Sequence, residues 1–192
     1  MDDMTAEQAA EAAKGLTFEK VWAVIIESRK ETEESFKRME KTVADLSKNI
    51  GGLGNSLGRF TEAMFEMELW KKFTELGYTF EKQSSHVKYR EYGKVIAEID
   101  LFLEDGDYIM LVEVKTELDN NDVNEHLDRI DKVRQYINAR NDSRKIVGAV
   151  AGGIVSESTR KFAQNNGLFV ITQSGESVMV ADIPPGFKAR EW

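Results

Sequence analysis

The sequence predicts an α/β fold, a sandwich built around a mixed sheet and preceded by a long N-terminal helix or coiled coil. Apolar residues at Phe36, Met39, Val43, Leu46, Ile50, Leu53, Leu57 and Phe60 recur at alternating steps of three and four, the a/d pattern of a heptad helix. From Gly58 onward helix and strand signals alternate, the mark of layered α/β architecture. Between the two textures Gly51, Gly52 and Gly54 crowd together. Each costs about 1 kcal/mol against alanine inside a helix, so a break or hinge is expected there.

Taken in order, residues 1–15 are expected to be frayed or disordered. An amphipathic helix covers about 16–50, and its seam runs back less regularly through Thr32, Arg29, Ile25, Trp22 and Phe18. Residues 16–57 form the coiled-coil segment with its glycine-rich hinge. A heptad stripe asks only for a partner surface, so the segment either joins copies into a homo-oligomer or folds back as a hairpin turning at the glycines. Residues 58–192 form one domain. It opens with a helix from Phe60 to Leu76 with apolar Phe65, Leu69, Phe73 and Leu76 on one side, stopped by Gly77. Strands are expected at about 78–82, 87–92, 95–103 and 108–115. A helix over about 122–139 buries Val123, Leu127, Ile130, Val133 and Ile137. A strand at 145–151, a helix capped by Ser156 and stopped by Asn166-Gly167, and strands at 168–172 and 178–183 complete the order.

Composition narrows the function. At 192 residues there is room for one ordinary domain and an accessory element. With no cysteine and only His86 and His126, disulfides, thiolate chemistry and a histidine-rich metal site are excluded. The longest apolar run is Val21 to Ile26 and the N-terminus lacks a basic stretch, which predicts a cytoplasmic protein with no membrane association. A net charge of −8 argues against a surface that grips nucleic acid non-specifically. Carboxylates gathered for a metal would account for part of it.

The chemistry concentrates between Glu98 and Lys115. Asp105-Gly106 is a two-residue hairpin signal. With those two at the turn centre, Asp100 falls opposite Leu111 and Glu98 opposite Glu113. Ile99, Leu101, Leu103, Tyr108, Met110, Val112 and Val114 then share a buried apolar face, while Asp100, Glu113 and Lys115 share the other. Diagonal neighbours lie roughly 7–8 Å apart, close enough for Asp100 and Glu113 to converge on one cation. Magnesium takes oxygen ligands and keeps several waters, and the Lys115 ammonium could orient or deprotonate one of them.

Asp100 followed by Glu113-Val114-Lys115 resembles the Asp…Glu-x-Lys signature of the PD-(D/E)XK nuclease superfamily, with a spacing similar to that of archaeal Holliday-junction resolvases. Gly58-Arg-Phe-Thr-Glu62 looks like the Gly-x-x-x-Glu that opens the same fold. Gly148 to Gly152 and Asn166 to Ile171 look like an uncharacterised branch that carries an N-terminal coiled coil. The resemblance covers about 58–183 and implies a restriction-endonuclease-like αβββαβ core and magnesium-dependent cleavage of nucleic acid, DNA foremost, with manganese as a substitute. It implies Asp100, Glu113 and the Val114 carbonyl as metal ligands, Lys115 as the water-activating group and Glu62 as the group completing the site. Glu66, one turn along, and Glu98 are alternatives for that last role. The proline of the superfamily's name is replaced by Ile99. A non-catalytic scaffold acting through its coiled coil is the competing reading.

Among other residues, Arg129, Lys132 and Arg134 lie on the polar side of the second helix and could contact phosphates, but a solvated face is the simpler reading because Asp128 and Asp131 interleave with them. His126 is expected as a surface or boundary residue and Gly152-Gly153 in a turn after the strand. Tyr89, Tyr92 and Phe102 could stack on bases, but sheet packing is the simpler use of aromatics on strands.

Overall fold

A computed structural model of the chain describes residues 17–67, 69–174 and 177–192, with Thr5, Glu7, Glu11, Lys14 and Gly15. The expected frayed terminus and Leu16 thus lie largely outside the described residues. Internal contacts divide the chain into two units that meet between Leu53 and Gly54.

Helix α1 spans Phe18–Glu66. Gly51, Gly52 and Gly54 lie within it, so neither the break nor the hairpin turn expected there is present. The propensity cost of about 1 kcal/mol per glycine is local and does not outweigh a continuous ladder of main-chain hydrogen bonds. In the first unit the seam residues Phe18, Trp22, Ile25, Phe36, Met39, Val43, Leu46 and Ile50 are all exposed.

The second unit holds a six-stranded sheet whose strands follow in chain order: β1 (Lys82–Glu91), β2 (Lys94–Glu104), β3 (Tyr108–Leu118), β4 (Lys145–Val155), β5 (Phe169–Ser174) and β6 (Ser177–Val180). β3–β4 and β4–β5 are parallel and the other pairs antiparallel. A parallel pair needs a crossover. Helix α3 (Asn120–Asn138) supplies the first and α4 (Glu157–Asn165) the second. With α1 and the short α2 (Leu69–Thr74) ahead of β1, this is the expected αβββαβ core, an α/β fold on a mixed sheet.

Alternation along the strands sends neighbours to opposite faces. Ile109, Leu111, Ile146 and Val150 pack with Val123, Ile130, Val133 and Ala163 of α3 and α4. Met110, Val112, Val147 and Ala149 pack with Phe65, Leu69 and Phe73. Gly148 permits the first packing, since a Cβ there would stand 2.4 Å from Leu168 Cδ2 and 2.6 Å from Ile130 Cδ1. Asp119 starts α3 with a capping box: its carboxylate accepts from Asn121 and Asp122 N–H, and Asp122 reaches back to the Asp119 N–H.

Several boundaries differ from expectation. The helix expected through Leu76 is interrupted at Met67, and α2 ends at Thr74. Residues 78–80 are not a strand, because Tyr78 and Phe80 stack on each other and pack edge-on around Phe73. Gly152 and Gly153 lie inside β4 rather than in a turn; a Cβ on Gly153 would come within 3.0 Å of the Thr116 carbonyl oxygen.

Candidate active site

The β2–β3 connection sets the site. Glu104 pairs with Ile109 and Leu101 with Val112, so the loop has four residues rather than a two-residue turn. The Asp105 carboxylate closes it by accepting the N–H groups of Asp107 at 2.8 Å and Tyr108 at 2.7 Å. Partners therefore shift by two from the expected register, and an even shift keeps the paired side chains of 101–104 and 109–112 on their faces. Continuing the count places Asp100 opposite Glu113 instead of Leu111. The Glu113 charge is felt at Asp100.

Pairing ends at Leu101 and Val112, and the Asp100 carboxylate takes over by accepting the Val114 N–H at 2.8 Å. Opposite Asp100 on β1, His86 has a left-handed backbone, φ 53°, while Ser85 pairs with Leu101 and Val87 with Ile99. That conformation interrupts the alternation. Ile99, expected beside Leu101 and Leu103, packs instead in the cluster under α3, while Leu101 and Leu103 pack with Phe65. Consecutive residues Asp100 and Leu101, with Ser85 and His86, consequently line one cavity of about 190 Å³ closed by Arg59, Glu62 and Glu66 of α1. Thr61 meets Thr116 at 3.3 Å between hydroxyl oxygens, tying α1 to β3 beside it.

Glu113 is 2% exposed yet well partnered. Lys115 Nζ lies 3.1 Å from its Oε1, and the Arg129 guanidinium donates to its Oε2. Lys115 also reaches Asp122 at 3.6 Å. His126 is fully buried beside it, not at the surface. Its Nε2–H donates to the Leu111 carbonyl at 3.1 Å, which leaves Nδ1 bare, 4.0 Å from the carboxylate and with no hydrogen-bond partner among the described residues. Burial pushes the His126 imidazole down to about 4, so Glu113 relies on Lys115 and Arg129 for compensation.

Burial, then the Glu113 charge, pushes Asp100 up to about 6, with Glu62 adding to the rise and the Val114 N–H and Lys115 opposing it. Burial alone would lower Lys115, but the charge and hydrogen bond of Glu113 outweigh it and hold the ammonium above its ordinary range.

Of the residues proposed to complete the site, Glu62 lies in the cavity with its Oε2 3.3 Å from His86 Nε2, and Glu66 lines the same wall. Glu98 does not face Glu113; it pairs with Lys88 at 3.2 Å on the hairpin's exposed side. Sequence reasoning missed Arg129. Its interleaved acids signal solvent, whereas spacing one turn beyond buried Val123 and His126 brings it back over the sheet. Arg134 is likewise not solvated: it donates to the carbonyls of Asp142, Arg144 and Trp192.

Among the described residues no three His, Asp or Glu side chains stand together as a metal site. The oxygen-only donor set of Asp100 and Glu113 nevertheless fits a hard divalent ion, and a carboxylate held near 6 by burial and a neighbouring charge is one that a cation would relieve.

No protein-family profile and no curated protein matches the chain. Among solved structures it is similar to a repair endonuclease from Pyrococcus abyssi, at 17% identity and a TM-score of 0.43 over 59% of this chain and 46% of that one. It is also similar to the small subunit of the heterodimeric restriction endonuclease R.BspD6I, at 16% identity and a TM-score of 0.32 over 62% of this chain and 72% of that one. The chain thus spans about half the length of the repair endonuclease it matches.

Proposed function

We propose that the chain is a metal-dependent nuclease that hydrolyses phosphodiester bonds, DNA being the expected substrate. The carrying observation is the placement of Asp100, Glu113 and Lys115 at the point where β2 and β3 part, with Asp100 electrostatically strained and Glu113 held between two cations. Asp100, Glu113 and the Val114 carbonyl would hold magnesium, or manganese in its place. When bound, such an ion polarises a phosphoryl oxygen and acidifies a water.

The chain's own groups do the rest. Lys115, anchored by Glu113 and Asp122, is positioned to orient the attacking water and to offset charge as it builds on phosphate. Glu62, on the cavity wall with His86, completes the acidic side of the site and is available to accept a proton from that water. Arg129 steadies the buried Glu113 carboxylate. The exposed heptad face of α1 would assemble the protein as a homo-oligomer.

The test is a magnesium titration of cleavage on linear, single-stranded and four-way-junction DNA, with Lys115→Ala as control. Metal-dependent cleavage that Lys115→Ala abolishes supports the reading. No cleavage of any of the three, by a protein that still assembles through α1, favours the competing reading of a nuclease-fold scaffold. Among the described residues no helix is long and apolar enough to cross a membrane.

A further inference from the structure

The β1–β2 hairpin has features that the packing of the domain does not use. Its turn is Tyr92-Gly93, with φ of 48° and 78° between paired Glu91 and Lys94, the two-residue geometry that favours Asn-Gly. A bulky residue with positive φ is disfavoured, and an aromatic ring in solvent gains nothing by burial. Tyr92 accepts both penalties, being 97% exposed rather than packed on the sheet.

Two cations, Arg90 and Lys94, flank this tip. Val87 and Tyr89 turn inward to the α3 cluster, where Tyr89 meets the Tyr136 ring edge-on at 5.2 Å and braces the hairpin. Lys88 and Arg90 face the other way, on the side that carries Asp100, whereas Lys94, paired with Glu91, stands on the opposite face of the tip. Arg90 and Lys94 are both exposed with no ion pair among the described residues. Lys88 is held by Glu98, and Glu91 is the acid nearest the tip. At roughly 3.3 Å per residue, Arg90 lies about 13 Å and Tyr92 about 20 Å along β1 from His86 in the cavity.

We propose that this hairpin is the substrate grip, taking a nucleic-acid segment with unpaired bases: Tyr92 stacks on a base while Arg90 and Lys94 meet phosphates, as the strand leaves the Asp100 cavity along β1. The inference rests on the nuclease reading above and adds the substrate class. An unpaired segment fits because a stacking side chain needs an open base face, which a continuous duplex does not offer. It also reconciles binding with a chain of net charge −8, since two unpaired cations and a ring act locally.

Binding is measured by fluorescence anisotropy on the full chain carrying Asp100→Asn, in calcium, with single-stranded and duplex DNA of equal length across a salt series. Tyr92→Asn, which suits the turn and so preserves the fold, should weaken single-stranded binding at least about fivefold. Arg90→Gln with Lys94→Gln should lower the salt slope by about 1.4, roughly 0.7 for each phosphate no longer neutralised. Unchanged affinity and slope in both variants, or no binding by the parent, overturns the grip. The nuclease reading has its own readout: cleavage by the unsubstituted chain with unchanged hairpin-variant binding rejects only the grip, while hairpin-dependent binding without cleavage in magnesium supports the grip and rejects catalysis.

Discussion

Replacing Asp100 by asparagine should stabilise the metal-free protein, and only above the acid range. The carboxyl is raised from 3.8 to about 6 because ionisation is opposed by burial and by Glu113. At about 1.4 kcal/mol per tenfold change in proton affinity, that rise is worth roughly 3 kcal/mol, which partial access to solvent reduces to about 2 kcal/mol. The folded state holds this proton more tightly than the unfolded chain does. Stability contributed by the protonated form is therefore lost as pH rises from about 4 to 6, and the penalty is complete above that window. An asparagine at this position would carry no such penalty and can still accept the Val114 N–H. Urea unfolding in a chelator should thus find parent and variant alike near pH 4 and the variant about 2 kcal/mol more stable at pH 8, or roughly 4–8 °C in Tm. A variant less stable at pH 8, or a gap that does not change with pH, refutes the reasoning.

Glu113→Gln should behave in the opposite way, losing about 2 kcal/mol without metal, because it leaves Lys115 and Arg129 facing an uncharged amide; denaturant midpoints decide it. Magnesium at a hundredfold excess over its Kd should add about 2.7 kcal/mol to the parent and nothing to the Asp100→Asn, Glu113→Gln double variant, with sodium at matched ionic strength inert in the same thermal melts. Val43→Glu with Ile50→Glu should lower the sedimentation mass of the full chain, since both sit exposed on the seam; an unchanged mass would mean that α1 does not join copies.

Legibility of the site in the sequence depends on parity. The two-residue slip in the hairpin register is silent for the packing because side chains alternate with a period of two, so Leu101, Leu103, Met110 and Val112 keep their shared face. Ile99 departs from its expected face for the complementary reason. The left-handed backbone of His86 breaks the alternation, and nothing in the order of residues 84–88 announces it. Helix α3 is readable from its periodicity and α4 from its Ser156 cap, whereas the glycine cluster misleads, since helix propensity is a weak prior in a 49-residue helix. Arg129 and His126 elude sequence reasoning because their roles arise from docking α3 on β3, a contact between residues sixteen and fifteen apart that no local pattern encodes.

Arg129 separates two functions that the same charge would otherwise confuse. It donates to Glu113 and to Glu125, at 3.3 Å for the latter, and so engages the carboxylate that a cation would need. A divalent ion entering at Glu113 must share or displace it, and the guanidinium, still tethered by Glu125, would then turn its remaining donors toward an anionic substrate. Arg129→Gln should accordingly bind manganese more tightly, on the order of tenfold, because a competing positive charge beside the ion is gone. The same variant should bind nucleic acid more weakly, because the released donor is gone too. Calorimetry with manganese and anisotropy with DNA on the one variant read the two signs independently. If metal affinity falls together with substrate affinity, Arg129 holds Glu113 in shape for the ion rather than competing with it, and no such exchange occurs.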